Sequence, residues 1–114
     1  MADATVTVGL LRERVARFVK ERDWGRFHNP KDLAIATSIE AAELLERFLW
    51  GDPSPPSQLS GEDREAVAEE LADVLIYGLS LANALSLDVS DAILAKIAKN
   101  EAKYPADRVR GRAP

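Results

Sequence analysis

Two stretches of this chain are apolar almost all the way round a helix, yet each carries a closely spaced pair of acids. Residues 33–45 (LAIATSIEAAELL) hold no charged side chain except Glu40 and Glu43. Residues 71–87 (LADVLIYGLSLANALSL) hold only Asp73, with Glu70 just before them. A helix apolar over most of its circumference is built to lie against other helices, and a carboxylate there is costly unless something pairs with it. Both pairs are spaced i, i+3, about 60° apart around a helix, so each can aim its oxygens at one point. Two such pairs on facing helices would form an oxygen-rich cage for a hard divalent cation. Mg²⁺ fits that donor set, with Mn²⁺ as a substitute, and the lack of His and Cys in either motif argues against zinc. Taken singly, E-x-x-E is more often a solvated surface. The coincidence of two pairs in apolar surroundings is what points to a metal centre.

At 114 residues the chain suits one domain, read as residues 1–114 with a helical body over about 8–105 and a flexible basic tail at 106–114. With 46% hydrophobic and 30% charged residues it is a globular composition rather than a disordered one. A net charge of −4 argues against nucleic acid as a partner, since backbone binding needs basic patches. The absence of cysteine excludes a disulfide framework and thiolate zinc sites. No apolar run reaches the length of a membrane span, and MADATVTVGLL lacks the basic and apolar regions of a signal peptide. The expected location is cytoplasmic, with no membrane association.

Helix punctuation divides the chain into four. Thr7 is a candidate N-cap for a helix over about 8–23, with Leu11, Val15, Phe18 and Val19 on one stripe and Gly25 beyond its end. Asn29-Pro30 reads as N-cap and first helical position of a second helix, expected to reach Leu49 or Trp50. Gly51 and the proline-rich segment to Leu59 read as a loop. Ser60 with Asp63 opens a third helix ending at Ala84 or Leu85, and Asp88 with Asp91 opens a fourth, 89–103, stopped before Pro105. No period-2 alternation persists, so the fold expected is all-α, a four-helix bundle. The third helix is too apolar for one small chain to cover, which suggests a homodimer or homotetramer sharing a core. Cover of Leu79, Leu81 and Leu85 by helices one and four of the same chain is the simpler alternative.

Further candidates cluster in the turn and along two helices. His28, the one histidine, lies between Trp24, Phe27 and Pro30, in a turn suited to stacking on a base and hydrogen-bonding it. Trp24 and Phe27 are equally suited to staple helix one to the body, and Trp50 poses the same choice. Tyr77 lies one turn beyond Asp73, so its hydroxyl can reach the neighbourhood of the cage or simply pack in the core. Lys96, Asn100 and Lys103 recur at i, i+4 and i+7, a polar stripe suited to phosphate oxygens but common on any amphipathic helix. Glu46 and Glu69 rank second as ligands.

E-x-x-E, a 26-residue spacer and E-x-x-D together resemble the signature of the all-α nucleoside triphosphate pyrophosphohydrolases of the MazG-like superfamily. ERDWGRFHNPKDLA (21–34), IEAAELLERFLW (39–50), EELADVLIY (69–77) and KIAKNEAKYP (96–105) are similar, in order, to its dCTP pyrophosphatase branch. The resemblance implies an Mg²⁺-dependent enzyme of nucleotide-pool cleansing that hydrolyses a deoxynucleoside triphosphate, dCTP or a modified dCTP, to monophosphate and pyrophosphate. It implies Glu40, Glu43, Glu70 and Asp73 as metal ligands and catalytic residues, and Trp24, His28, Trp50 and Tyr77 at the base and sugar pocket. Lys96, Asn100, Lys103 and Tyr104 match the polar block near the phosphates, and dimers or tetramers are implied. One departure is visible: Ser38 or Ile39 stands where a glycine is expected before the first acid pair. Two other classes compete. A di-iron carboxylate protein would add Glu-x-x-His pairs, which no helix here contains. A non-catalytic nucleotide-binding or partner-binding module would retain the fold and bind without releasing pyrophosphate.

Overall fold

Each long helix starts where a side chain replaces a missing backbone partner, since the first N–H groups of a helix have none of their own. In the computed structural model, which describes residues 1–51 and 59–113, the Thr7 hydroxyl accepts from the Leu10 N–H at 3.1 Å and opens α1, Val8–Glu21. Asn29 accepts from the Asp32 N–H at 2.9 Å, and Pro30 occupies the first position of α2, Pro30–Glu46. Ser60 caps α3, Gly61–Leu85, at 3.0 Å. Asp88 caps α4, Val89–Lys103, at 2.8 Å. Short 3₁₀ turns occupy Ala2–Ala4 and Gly25–Phe27. The segment expected to be a flexible tail contains a fifth, short helix, α5, Ala106–Val109. No strand occurs among the described residues.

The second helix stops short of the expected Leu49 or Trp50. At Arg47 and Phe48 the N–H groups bond to Leu44 and Leu45, three residues back, so the ladder tightens into turns before Gly51. Residues 52–58, the core of the proline-rich loop expected here, lie outside the described residues.

Helices α1, α2 and α3 form the body, with α3 packed chiefly on α2 and more lightly on α1. Leu33, at 1% exposure, is the most deeply buried large side chain among the described residues, and Ala82 and Ser80 of α3 are buried with it. A reciprocal bond ties α1 to α3: Arg12 Nε donates to Asn83 Oδ1 at 3.0 Å, and Asn83 Nδ2 donates to the Arg12 carbonyl at 3.2 Å. Ser86 then takes a left-handed conformation (φ 53°), and the Leu87 N–H returns to the Ala82 carbonyl at 2.9 Å, which closes α3. Beyond this cap α4 leaves at a bend of 104°.

Within one chain the bend leaves the expected four-helix bundle incomplete: among the described residues, α4 packs extensively on no other helix. Leu79 and Leu81 are half-buried, and Leu85 remains exposed because α4 does not fold back over it. The apolar side chains Leu94 and Ile97 of α4 likewise face open space. Among the described residues no single helix is long and apolar enough to cross a membrane.

Candidate functional site

Packing of α2 on α3 brings the two acid pairs together. One carboxylate oxygen from each of Glu40, Glu43 and Glu70 lies within 4.8 Å of the others, a spacing that suits three oxygens around one small cation. Glu40 and Glu70 are half-buried. Glu43 and Asp73 are exposed, where apolar flanks led to an expectation of burial. Asp73 sits beyond the tight trio, yet close enough for its charge to act on Glu40.

Glu40 is the strained member. Its Oε2 is buried without a hydrogen-bond partner. Proton sharing with the Glu43 carboxyl, then burial, then repulsion from Glu43, Asp73 and Glu70 hold its carboxyl above the ordinary value. A buried acceptor with nothing to accept from, among like charges, is the chemistry a divalent cation would satisfy, so these residues fit the implied metal. Glu70 already has a positive neighbour: Arg47 Nη2 lies 3.2 Å from its Oε1.

Beside the cluster, α1 and α3 enclose a cavity of about 420 Å³, lined in part by Trp24, His28, Asp73 and Tyr77. The rings of His28 and Tyr77 stand 6.5 Å apart and tilted by 54°. Trp24 meets Phe18 edge-on at 5.7 Å, which fixes the turn against α1 while leaving Trp24 on the cavity wall. Asp73 thus belongs to the acid neighbourhood and to the aromatic cavity at once. A ligand with an anionic tail and a planar ring would span the two.

Other sequence candidates are not gathered here. Trp50 is 93% exposed in the turn after α2 and does not line the cavity. Lys96, Asn100 and Lys103 lie on the exposed α4, and Tyr104 follows them with the Lys103 ammonium 5.3 Å from its ring. None of these four lines the cavity of its own chain. Glu46 and Glu69 are exposed. Sequence reasoning missed the basic groups of the site. Arg14, Arg17 and Arg22 of the α1 side line the cavity, and Arg47 joins the acid cluster. The available signal was positional: Arg47 follows Glu43 by one helical turn and Glu40 by two.

Known proteins match this chain in sequence and in fold. The MazG-like family profile matches residues 35–113. The dCTP pyrophosphatase 1 of Bos taurus is 41% identical over 105 residues, covering 90% of this chain and 62% of the relative. For the Homo sapiens protein of that name the identity is 42% over 103 residues, with 88% and 60% covered. A dATP/dGTP diphosphohydrolase of Cyanophage S-2L is 48% identical over 62 residues, 54% of this chain and 51% of its own. The chain therefore spans about three fifths of the length of the dCTP pyrophosphatases it matches. In fold, a crystal structure of a pyrophosphatase from Archaeoglobus fulgidus DSM 4304 superposes with a TM-score of 0.74 at 40% identity, covering 83% of this chain and 89% of that one. Sequence, fold and the meeting of the two acid pairs lead to one conclusion: this chain belongs to the MazG-like family.

Proposed function

We propose that the protein hydrolyses a nucleoside triphosphate to the monophosphate and pyrophosphate with Mg²⁺, and that dCTP or a 5-substituted dCTP is among its best substrates. The observation that carries this reading is the continuity of the site, with Asp73 bordering both the carboxylate trio and the cavity walled by Trp24, His28 and Tyr77. The names of the relatives support pyrophosphate chemistry, while the two kinds of base among them leave the base to the cavity.

Glu40, Glu43, Glu70 and Asp73 would hold the metal. A triphosphate and four carboxylates repel one another, and a bound Mg²⁺ would neutralise that repulsion and polarise a phosphoryl oxygen. The chain's own residues do the rest. His28 and Tyr77 wall the cavity at a separation that admits a ring against one or the other, with His28 able to hydrogen-bond a base edge. Arg14 and Arg17 present guanidinium groups along the α1 wall, suited to phosphate oxygens. A carboxylate of the cluster not engaged with metal accepts the proton of the attacking water, and the phosphoanhydride bond breaks with pyrophosphate leaving.

We further propose that the working form is a homodimer or homotetramer, in which the stripe of Lys96, Asn100, Lys103 and Tyr104 reaches a neighbour's site. The accessible surface is 9365 Å², against roughly 6,200 Å² for a compact monomer of this mass. The excess, roughly 3,000 Å² on one chain, is well above the roughly 800 Å² that a standard interface takes from each partner, and leaves ample surface for a partner copy to cover. The deciding experiment is a pyrophosphate-release screen over canonical and 5-substituted triphosphates, with Mg²⁺ or with EDTA. Turnover of dCTP with Mg²⁺ and none in EDTA is expected. Nucleotide binding without pyrophosphate release would instead favour a non-catalytic module.

A further inference from the structure

Arg47 caps α2 and reaches across to α3, where its guanidinium pairs with Glu70 at 3.2 Å. It stands on the helical face that carries Glu40 and Glu43, two turns and one turn before it respectively. The two partners differ in freedom: the Arg47 side chain is 47% exposed and that of Glu70 only 17%. The carboxylate is held by its surroundings while the guanidinium can swing out into solvent. The same Glu70 side chain is one of the three whose oxygens converge for a cation. Arginine and metal therefore compete for its charge, and a dication in the trio would repel the guanidinium beside it. The released group would stay tethered within one side-chain length of the metal, and its planar fork matches phosphate oxygens better than any other side chain does.

We propose, resting on the metal-dependent reading above, that Arg47 is a placeholder cation. It neutralises Glu70 while the site lacks metal and transfers to phosphate oxygens once metal takes that carboxylate. It acts as a positioning residue for Glu70 in the first state and as a phosphate ligand in the second. The role predicts opposite effects on two ligands. A structural role would move both the same way, or neither.

The test uses the full chain, with Arg47→Met to keep the apolar stem and Arg47→Lys to keep the charge without the fork. Mn²⁺ binding is followed by electron paramagnetic resonance, and inorganic pyrophosphate binding by calorimetry at fixed free Mn²⁺. Neither readout needs turnover or a known base. Arg47→Met should bind Mn²⁺ roughly two- to fivefold more tightly, the range that loss of a part-exposed competing ion pair allows. It should bind pyrophosphate roughly tenfold more weakly, as for loss of a charged hydrogen bond. Arg47→Lys should recover part of the pyrophosphate affinity. Mn²⁺ affinity unchanged or reduced in Arg47→Met, or pyrophosphate affinity unchanged, overturns the proposal while the metal-dependent reading stands. If the wild-type chain binds no Mn²⁺, the metal-dependent reading falls, and the proposal with it.

Discussion

Glu40 concentrates the cost of the site in one side chain. Its carboxyl is held above the ordinary value, so over that interval the folded, metal-free chain binds a proton that the unfolded chain has already lost. Stability of the metal-free protein should therefore be fully present at acid pH and decline as pH rises through the raised value of Glu40. Metal affinity should run the opposite way, because protonated Glu40 is a poor ligand. Glu40→Gln should raise the neutral-pH Tm of the metal-free protein and flatten its pH dependence, read by thermal melts in EDTA. A melt profile identical to wild type would show that the strain is not borne at Glu40. Asp73→Asn separates function from fold: the exposed side chain should leave the Tm nearly unchanged while kcat for pyrophosphate release falls by about two orders of magnitude or more. Turnover close to wild type would remove Asp73 from the site.

At the scale of elements, Leu33 is the natural probe of the body formed by α1, α2 and α3. It lies one turn into α2 and, at 1% exposure, is the most deeply buried large side chain among the described residues. Leu33→Ala should cost about 2–4 kcal/mol, measurable by urea denaturation at fixed protein concentration. A loss under about 1 kcal/mol would mean that the site collapses around the smaller residue. The helices themselves were legible because their caps are local chemistry. Thr7, Asn29, Ser60 and Asp88 each cap as the spacing to the third residue beyond them implies. The early end of α2 and the turn of α5 were not, since both depend on backbone bonds formed after the side-chain pattern has lost its period. In the site, the convergence of Glu40, Glu43 and Glu70 could be read from two i, i+3 pairs. The partner of Glu70 could not, because a contact between α2 and α3 has no periodicity along the chain. The direction of α4 was equally hidden: it is set by the left-handed Ser86, a residue type that sequence patterns do not mark for that conformation.

The whole molecule is too open for its length. The radius of gyration is 16.9 Å, against roughly 13 Å for a compact chain of this size. Exposed Leu71, Leu75, Leu85, Leu94 and Ile97 supply apolar area that a partner copy would cover. Light scattering at micromolar concentration should report at least twice the 12.5 kDa chain mass. A stable 12.5 kDa monomer would refute the shared core. Replacing Ile97 and Leu94 together by Asp should shift the population toward monomer and lower the Tm in parallel.

The 104° turn after α3 carries its own consequence for inheritance of activity within an assembly. If α4 serves a neighbour, an acid lesion and an α4 lesion damage different sites when they sit in different chains. Co-refolding Asp73→Asn with Lys96→Ala, each inactive alone, would then rebuild one intact site in every hybrid dimer. With random pairing half of the dimers are hybrids, so about a quarter of all sites should work again. Two crippled alleles would complement each other in trans, whereas both lesions placed in one chain and mixed with nothing would stay silent.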